Sequence, residues 1–126
     1  MTTAEPTKFG ILISRDLFFG SKVTGTASQL GLRVELVGTI ERAVERAAAD
    51  GCALILVDLE MQQLSVHDLV DALDAAARPP VVAFGAHVHA ALLDEARSAG
   101  CDDVMPRSKF SATLPDLLRR YLSPAE

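Results

Sequence analysis

The chain has 126 residues, 49 % of them hydrophobic, which is enough for one domain with a single core. A net charge of −5 with no run of Lys or Arg argues against a nucleic-acid or anionic-membrane partner, and no apolar run approaches the ~20 residues of a membrane span. Met1 to Thr7 is polar and lacks a basic region followed by an apolar stretch, so the reading is a disordered lead-in over 1–7, one cytoplasmic domain over 8–122 and a tail over 123–126.

Lys8 to Ser14, with Phe9, Ile11, Leu12 and Ile13, reads as a first strand. From Asp16 to Leu30, Phe19, Val23, Ala27 and Leu30 recur at helical spacing, with Asp16 as cap and Gly31 as stop; Gly20 and Gly25 weaken this helix by up to ~1 kcal/mol each. Leu32 to Val37 is a second strand. Thr39 to Asp50 is an amphipathic helix with Ile40, Val44 and Ala47 on one face, closed by Gly51.

Ala53 to Glu60 is the organising stretch, a continuous apolar run that ends in Asp58. Such a run fits a strand buried on both faces, and in open parallel sheets chemistry gathers at the carboxyl ends of the strands. Ser65 to Arg78 is helical, with Ser65 and Asp68 spaced for capping, an inward stripe of Val66, Leu69, Val70 and Leu73, and Pro79-Pro80 as stop. Val81 to Phe84 is a fourth strand ending at Gly85. Val88 to Ala99 is a helix with Leu92 and Ala96 inward, and Asp103 to Pro106 a weak fifth strand. The last helix begins between Ser111 and Thr113 and runs to Leu122, which puts Pro115 in its first turn.

Five strands alternating with five helices imply an α/β fold with a parallel sheet covered on both faces. Of the doubly wound orders, five strands fit 2-1-3-4-5, a flavodoxin-like (βα)5 three-layer sandwich in which the ends of strands one and three meet. Asp16 and Asp58 then converge, and Arg15 goes with them. Cys52 and Cys101 fall at the opposite edge with a strand between them, at about 4.8 Å per step, so they read as reduced structural thiols.

The segments Gly10 to Asp16, Leu54 to Met61, Pro80 to Ala86 and Ala99 to Phe110, in that order, resemble the receiver domain of bacterial response regulators over Lys8 to Leu122. The resemblance implies that Asp58 holds the phosphoacceptor position and Asp16 one of two acidic positions that bind Mg²⁺. It also implies a Thr or Ser after strand four and a Lys after strand five, both acting on the phosphoryl oxygens. Phosphoryl transfer is catalysed mainly by positioning and charge neutralisation, hence these residue types.

The sequence departs from that pattern at several positions. Arg15 replaces the first acidic residue, Gly85 the Thr or Ser, Arg107 the Lys, and Ser108 the proline after it; Val104 stands where an aromatic often moves with phosphorylation. A guanidinium is never neutral in water, so Arg15 or Arg107 is expected to pair with Asp58 in roughly the volume Mg²⁺ would take. No cofactor is expected. Mg²⁺, if it binds at all, would use Asp16 and Asp58. Glu60 reads as a solvated loop residue, and His67, His87 and His89 as surface residues. Phe18 and Phe19 read as one core and one partly exposed residue, and an exposed Phe18 would be available for an interaction patch. Gly20-Ser-Lys-Val-Thr-Gly25 spaces its glycines like a phosphate loop, but Thr26 and Ala27 replace the needed Lys and Ser/Thr.

The reading is a stand-alone, atypical receiver that is not an enzyme and acts by protein–protein interaction. Its partner would be a histidine kinase or an output protein. The resemblance places the contact on the fourth helix, fifth strand and fifth helix, where Arg97, Arg107, Lys109 and Arg119 lie among Asp94, Asp102 and Asp116; a homodimer through the same face is an option. The alternatives are a working Mg²⁺-dependent phosphoacceptor at Asp58 and a flavodoxin-like small-ligand binder.

Overall fold

The computed structural model describes residues 7–73 and 78–124. The lead-in over 1–6, the end of the third expected helix at 74–77 and the last two residues lie outside the described residues. The elements are β1 (Phe9–Ile13), α1 (Leu17–Gln29), β2 (Val34–Val37), α2 (Ile40–Ala47), β3 (Cys52–Asp58), α3 (Val66–Ala72), β4 (Val81–Gly85), α4 (Ala90–Ala99), β5 (Asp103–Pro106) and α5 (Arg107–Leu122). All strand pairs are parallel and the order is β2-β1-β3-β4-β5, the doubly wound arrangement that the alternation implied.

Alternation along each strand divides the core into two layers. Ile11, Ile13, Ile55, Val57, Val81 and Ala83 face α2, α3 and α4. Leu12, Leu54, Leu56, Val82 and Phe84 face the opposite way, onto Phe19, Val23 and Ala27 of α1 and Phe110, Leu114 and Leu118 of α5. Every side chain from Leu54 to Val57 is fully buried, which is why this strand carries no polar residue before Asp58.

Side chains cap three helix starts, two of them, Asp16 and Ser65, as the sequence suggests. Asp16 accepts from the Phe19 N–H at 3.0 Å, Thr39 from the Arg42 N–H at 3.1 Å and Ser65 from the Asp68 N–H at 3.2 Å. Gly20 and Gly25 lie inside α1, so they form no phosphate loop. A Cβ on Gly20 would lie 2.8 Å from Leu36, so this glycine lets α1 close on β2.

Two helices differ from expectation. α4 starts two residues later than Val88 and buries Leu93 with Ala96, while Leu92 is half-buried. α5 starts at Arg107, directly after β5, so Pro115 lies mid-helix and not in the first turn. Five buried side chains, Phe110, Leu114, Leu117, Leu118 and Leu122, hold α5 against the sheet and outweigh the bond that Pro115 cannot donate. This early start is what delivers Arg107 to the carboxyl edge of the sheet.

Candidate functional site

Asp58 is the last residue of β3 and only 3 % exposed, and a carboxylate so placed must be met by donors. Pairing of Ile13 with Val57 brings Ser14, one step on, beside Asp58. The Ser14 hydroxyl donates to Asp58 Oδ2 at 2.7 Å. The other oxygen, Oδ1, accepts the Glu60 backbone N–H at 3.0 Å and Arg107 Nη2 at 3.3 Å.

Arg107 reaches both aspartates. Its Nη1 lies 3.8 Å from Asp16 Oδ2, and the guanidinium carbon sits 4.4 Å from the Phe19 ring centroid and 5.5 Å from that of Phe84. Phe84 in turn stacks on Phe110 at 4.1 Å. The cation is thus held between two carboxylates and an aromatic floor, a setting suited to a planar guanidinium. Asp16 has a second task, since its Oδ1 caps α1.

Arg15 points elsewhere. It follows β1 into the loop beside the end of β2, where its Nε donates to the Gly38 carbonyl at 3.1 Å. Of the two arginines read as possible partners of Asp58, Arg107 makes the contact. Ser108 is exposed in the first turn of α5, and Val104 pairs with Ala83 and packs half-buried against the core.

Glu60 departs from the solvated residue expected of it. Its Oε2 accepts the Ala86 N–H at 3.1 Å and its Oε1 lies 2.7 Å from His89 Nδ1. His89, read as a plain surface residue, is therefore paired. Ser14 was not singled out by sequence reasoning, although parallel pairing of strands one and three puts a hydroxyl at that position opposite Asp58. The signal for Glu60 was the glycine at 85, which leaves space for a neighbour's side chain.

Arg15, Asp16, Asp58, Glu60, Met61, Gln62 and Arg107 line an open cleft of about 320 Å³. Leu17 and the 93 % exposed Phe18 stand at the start of α1 beside Asp16, and Phe19 is buried, as the sequence suggested. As arranged, the residues do not fit a divalent cation. Both Asp58 oxygens are engaged, Asp16 is turned to its helix and to Arg107, and no cluster of three acidic, His or Cys side chains able to hold a metal occurs among the described residues.

At the opposite edge the two cysteines are free, and burial pushes the Cys101 thiol up to about 11 and the Cys52 thiol upward. No helix among the described residues is long and apolar enough to cross a membrane.

No family model and no curated protein matches the sequence. Solved structures do match. The receiver domain of a Pseudomonas aeruginosa sensor histidine kinase, crystallised with a magnesium ion in its active-site cleft, superposes with a TM-score of 0.75 at 21 % identity, covering 94 % of this chain and 100 % of its own. A response-regulator receiver domain from Bermanella marisrubri gives 0.78 at 18 %, with 94 % and 100 % covered. The receiver domain of the Saccharomyces cerevisiae regulator Ssk1, crystallised with the histidine phosphotransfer protein Ypd1, gives 0.73 at 15 %, with 95 % and 92 % covered. At such identities the likeness speaks to the fold alone, and it agrees with the strand order: this chain has the fold of response-regulator receiver domains.

Proposed function

We propose that this protein is an atypical receiver that acts by binding another protein and is not an enzyme, with the Arg107 guanidinium in the role a divalent cation has in the resembled family. The observation that carries this is the double contact of Arg107 with Asp58 at 3.3 Å and Asp16 at 3.8 Å. A fixed cation there neutralises the carboxylates, and Gly85 offers no hydroxyl to a phosphoryl oxygen. Asp58 on this reading is a structural anion and not a phosphoacceptor.

The partner is a histidine kinase or an output protein, contacted through α4, β5 and α5, with a second copy of the chain as a competing occupant of that face. The yeast relative crystallised with its phosphotransfer protein supports a protein partner. Arg97 and Arg119 are engaged with Asp94 and Asp116 on their own helices, and Arg107 with the site, while the exposed Lys109 and Arg120 of α5 make no ion pair among the described residues.

One observation favours a second reading. Asp58 borders an open cleft beside Asp16, and withdrawal of Arg107 would open its Oδ1 to that cleft, as a working phosphoacceptor requires. Incubation with a small phosphodonor and millimolar Mg²⁺, followed by intact-mass measurement, separates the two. The first reading expects an unchanged mass. A phosphoryl adduct that disappears in Asp58→Ala establishes the second.

A further inference from the structure

One side chain ties the start of α4 to Asp58. Glu60 donates its backbone N–H to Asp58 Oδ1 at 3.0 Å, and its carboxylate reaches across to the β4–α4 connection. There Oε2 accepts the Ala86 N–H at 3.1 Å and Oε1 meets His89 Nδ1 at 2.7 Å. His89 holds the cap position of α4 and makes no side-chain bond to that helix, so its ring is committed to Glu60.

Glycine at 85 makes this contact possible. A Cβ there would lie 3.1 Å from Glu60 Oε2 and 3.3 Å from the Leu59 Cβ, so a larger residue at 85 would press this carboxylate aside by a few tenths of an ångström. The Ala86 N–H is part-buried, and without the carboxylate its hydrogen bond is lost. Among the hydrogen bonds of the described residues, those of Glu60 alone run from Asp58 to the β4–α4 connection.

We propose that Glu60 is a positioning residue that couples the ion pair at Asp58 to the placement of α4. A change at Asp58 or Arg107 moves the Glu60 backbone, and the side chain carries that movement to Ala86 and His89. The route uses neither a hydroxyl at 85 nor an aromatic at 104. Only the use of α4 as a partner surface rests on the function proposed above; the coupling stands without it.

The test follows the amide resonances and hydrogen exchange of Ala86 and of Ala90 to Leu93 in the wild type, Glu60→Ala and Glu60→Gln, each with and without Arg107→Ala, in the absence of metal and phosphodonor. Glu60→Ala should speed Ala86 exchange about tenfold, and Glu60→Gln, which keeps an acceptor and a donor, much less. Arg107→Ala should shift these amides in the wild type and in Glu60→Gln but not in Glu60→Ala. Equal shifts in all three backgrounds, or none in the wild type, overturn the proposal. Should Glu60→Ala fail to fold, Glu60→Met keeps the side-chain volume without the carboxylate and is read by the same two outcomes. A phosphoryl adduct at Asp58 would overturn the silenced site and leave the coupling standing, while loss of the coupling would leave the silenced site untouched.

Discussion

Both edges of the sheet are held by arginine–carboxylate contacts, yet the two sets are built differently. At the amino edge the contacts are short and saturated. Arg46 meets both oxygens of Glu35 at 2.8 and 2.9 Å with Arg33 joining, and Asp102 accepts the Val81 N–H and Arg78 Nη1, each at 2.7 Å. At the carboxyl edge Arg107 stands 3.3 and 3.8 Å from its two aspartates, beside an open cleft. The first set ties strands and helices to one another; the second joins a buried carboxylate to its cation at longer range beside an open cleft.

The close contacts of the amino edge also show in the titration of its groups. Hydrogen bonds from Arg46 and Arg33 hold the Glu35 carboxyl down at about 2 against the pull of burial. Burial pushes Asp102 upward, but the Val81 N–H and Arg78 outweigh it and hold the group below its ordinary value. Groups so fixed in charge suit a scaffold.

If the amino edge is the scaffold, Asp102→Ala should be the most damaging change. It strands the Val81 N–H at the start of β4 and frees Arg78, which also donates to the Gly100 carbonyl at 2.9 Å. A loss of about 2 to 3 kcal/mol in urea unfolding is expected. A loss below ~0.5 kcal/mol would show that this edge does not depend on the contact. Arg107→Ala should cost less, about 1 to 2 kcal/mol for one hydrogen bond to a carboxylate, since Asp58 keeps Ser14 and the Glu60 N–H. Its distinguishing mark is that millimolar Mg²⁺ should restore part of that stability in the variant while leaving the wild type unmoved. An equal Mg²⁺ response in both proteins would remove the contrast between the edges.

The fold was legible because its determinants are local and repeated. Apolar runs at Phe9 to Ile13 and Leu54 to Val57, glycine stops at 31, 51 and 100, and caps at Asp16 and Ser65 act within a few residues of themselves. Convergence of Asp16 with Asp58 followed from strand order alone. What escaped depended on side chains reaching across elements. Pro115 masked the early start of α5, because the tertiary packing of Phe110 and Leu114 overrides a local helix breaker. Glu60 was read as solvated because its partners, Ala86 and His89, lie 26 and 29 residues away. Arg15 was likewise not separable from Arg107, because its partner, the Gly38 carbonyl, lies 23 residues away.

Acid titration sharpens the scaffold side further. Glu35 has its folded value lowered from 4.5 to about 2, so its contribution is fully present above pH ~4.5 and is lost as pH falls towards 2. Glu35→Gln should therefore be less stable than the wild type by ~1 kcal/mol at pH 7, a small figure because the pair is partly solvated. The difference should narrow below pH 4.5 and close near pH 2. A gap that persists unchanged at pH 2 would mean that Glu35 acts through packing and not through its charge.

The smallest effect concerns the thiols beneath the same edge. Cys101 lies half-buried between α4 and β5, and with its thiol pushed to about 11 the thiolate is scarce at pH 8. Native protein at that pH should be alkylated at Cys101 some ~10- to 100-fold more slowly than the unfolded chain, with peptide mapping assigning the site. Asp102→Ala offers the cross-check, because loosening the junction of β4 and β5 should expose Cys101 and raise its rate. If Cys101 reacts as fast in the native wild type as in urea, the amino edge opens on the timescale of labelling, and the division between a closed scaffold edge and an adjustable site edge does not hold.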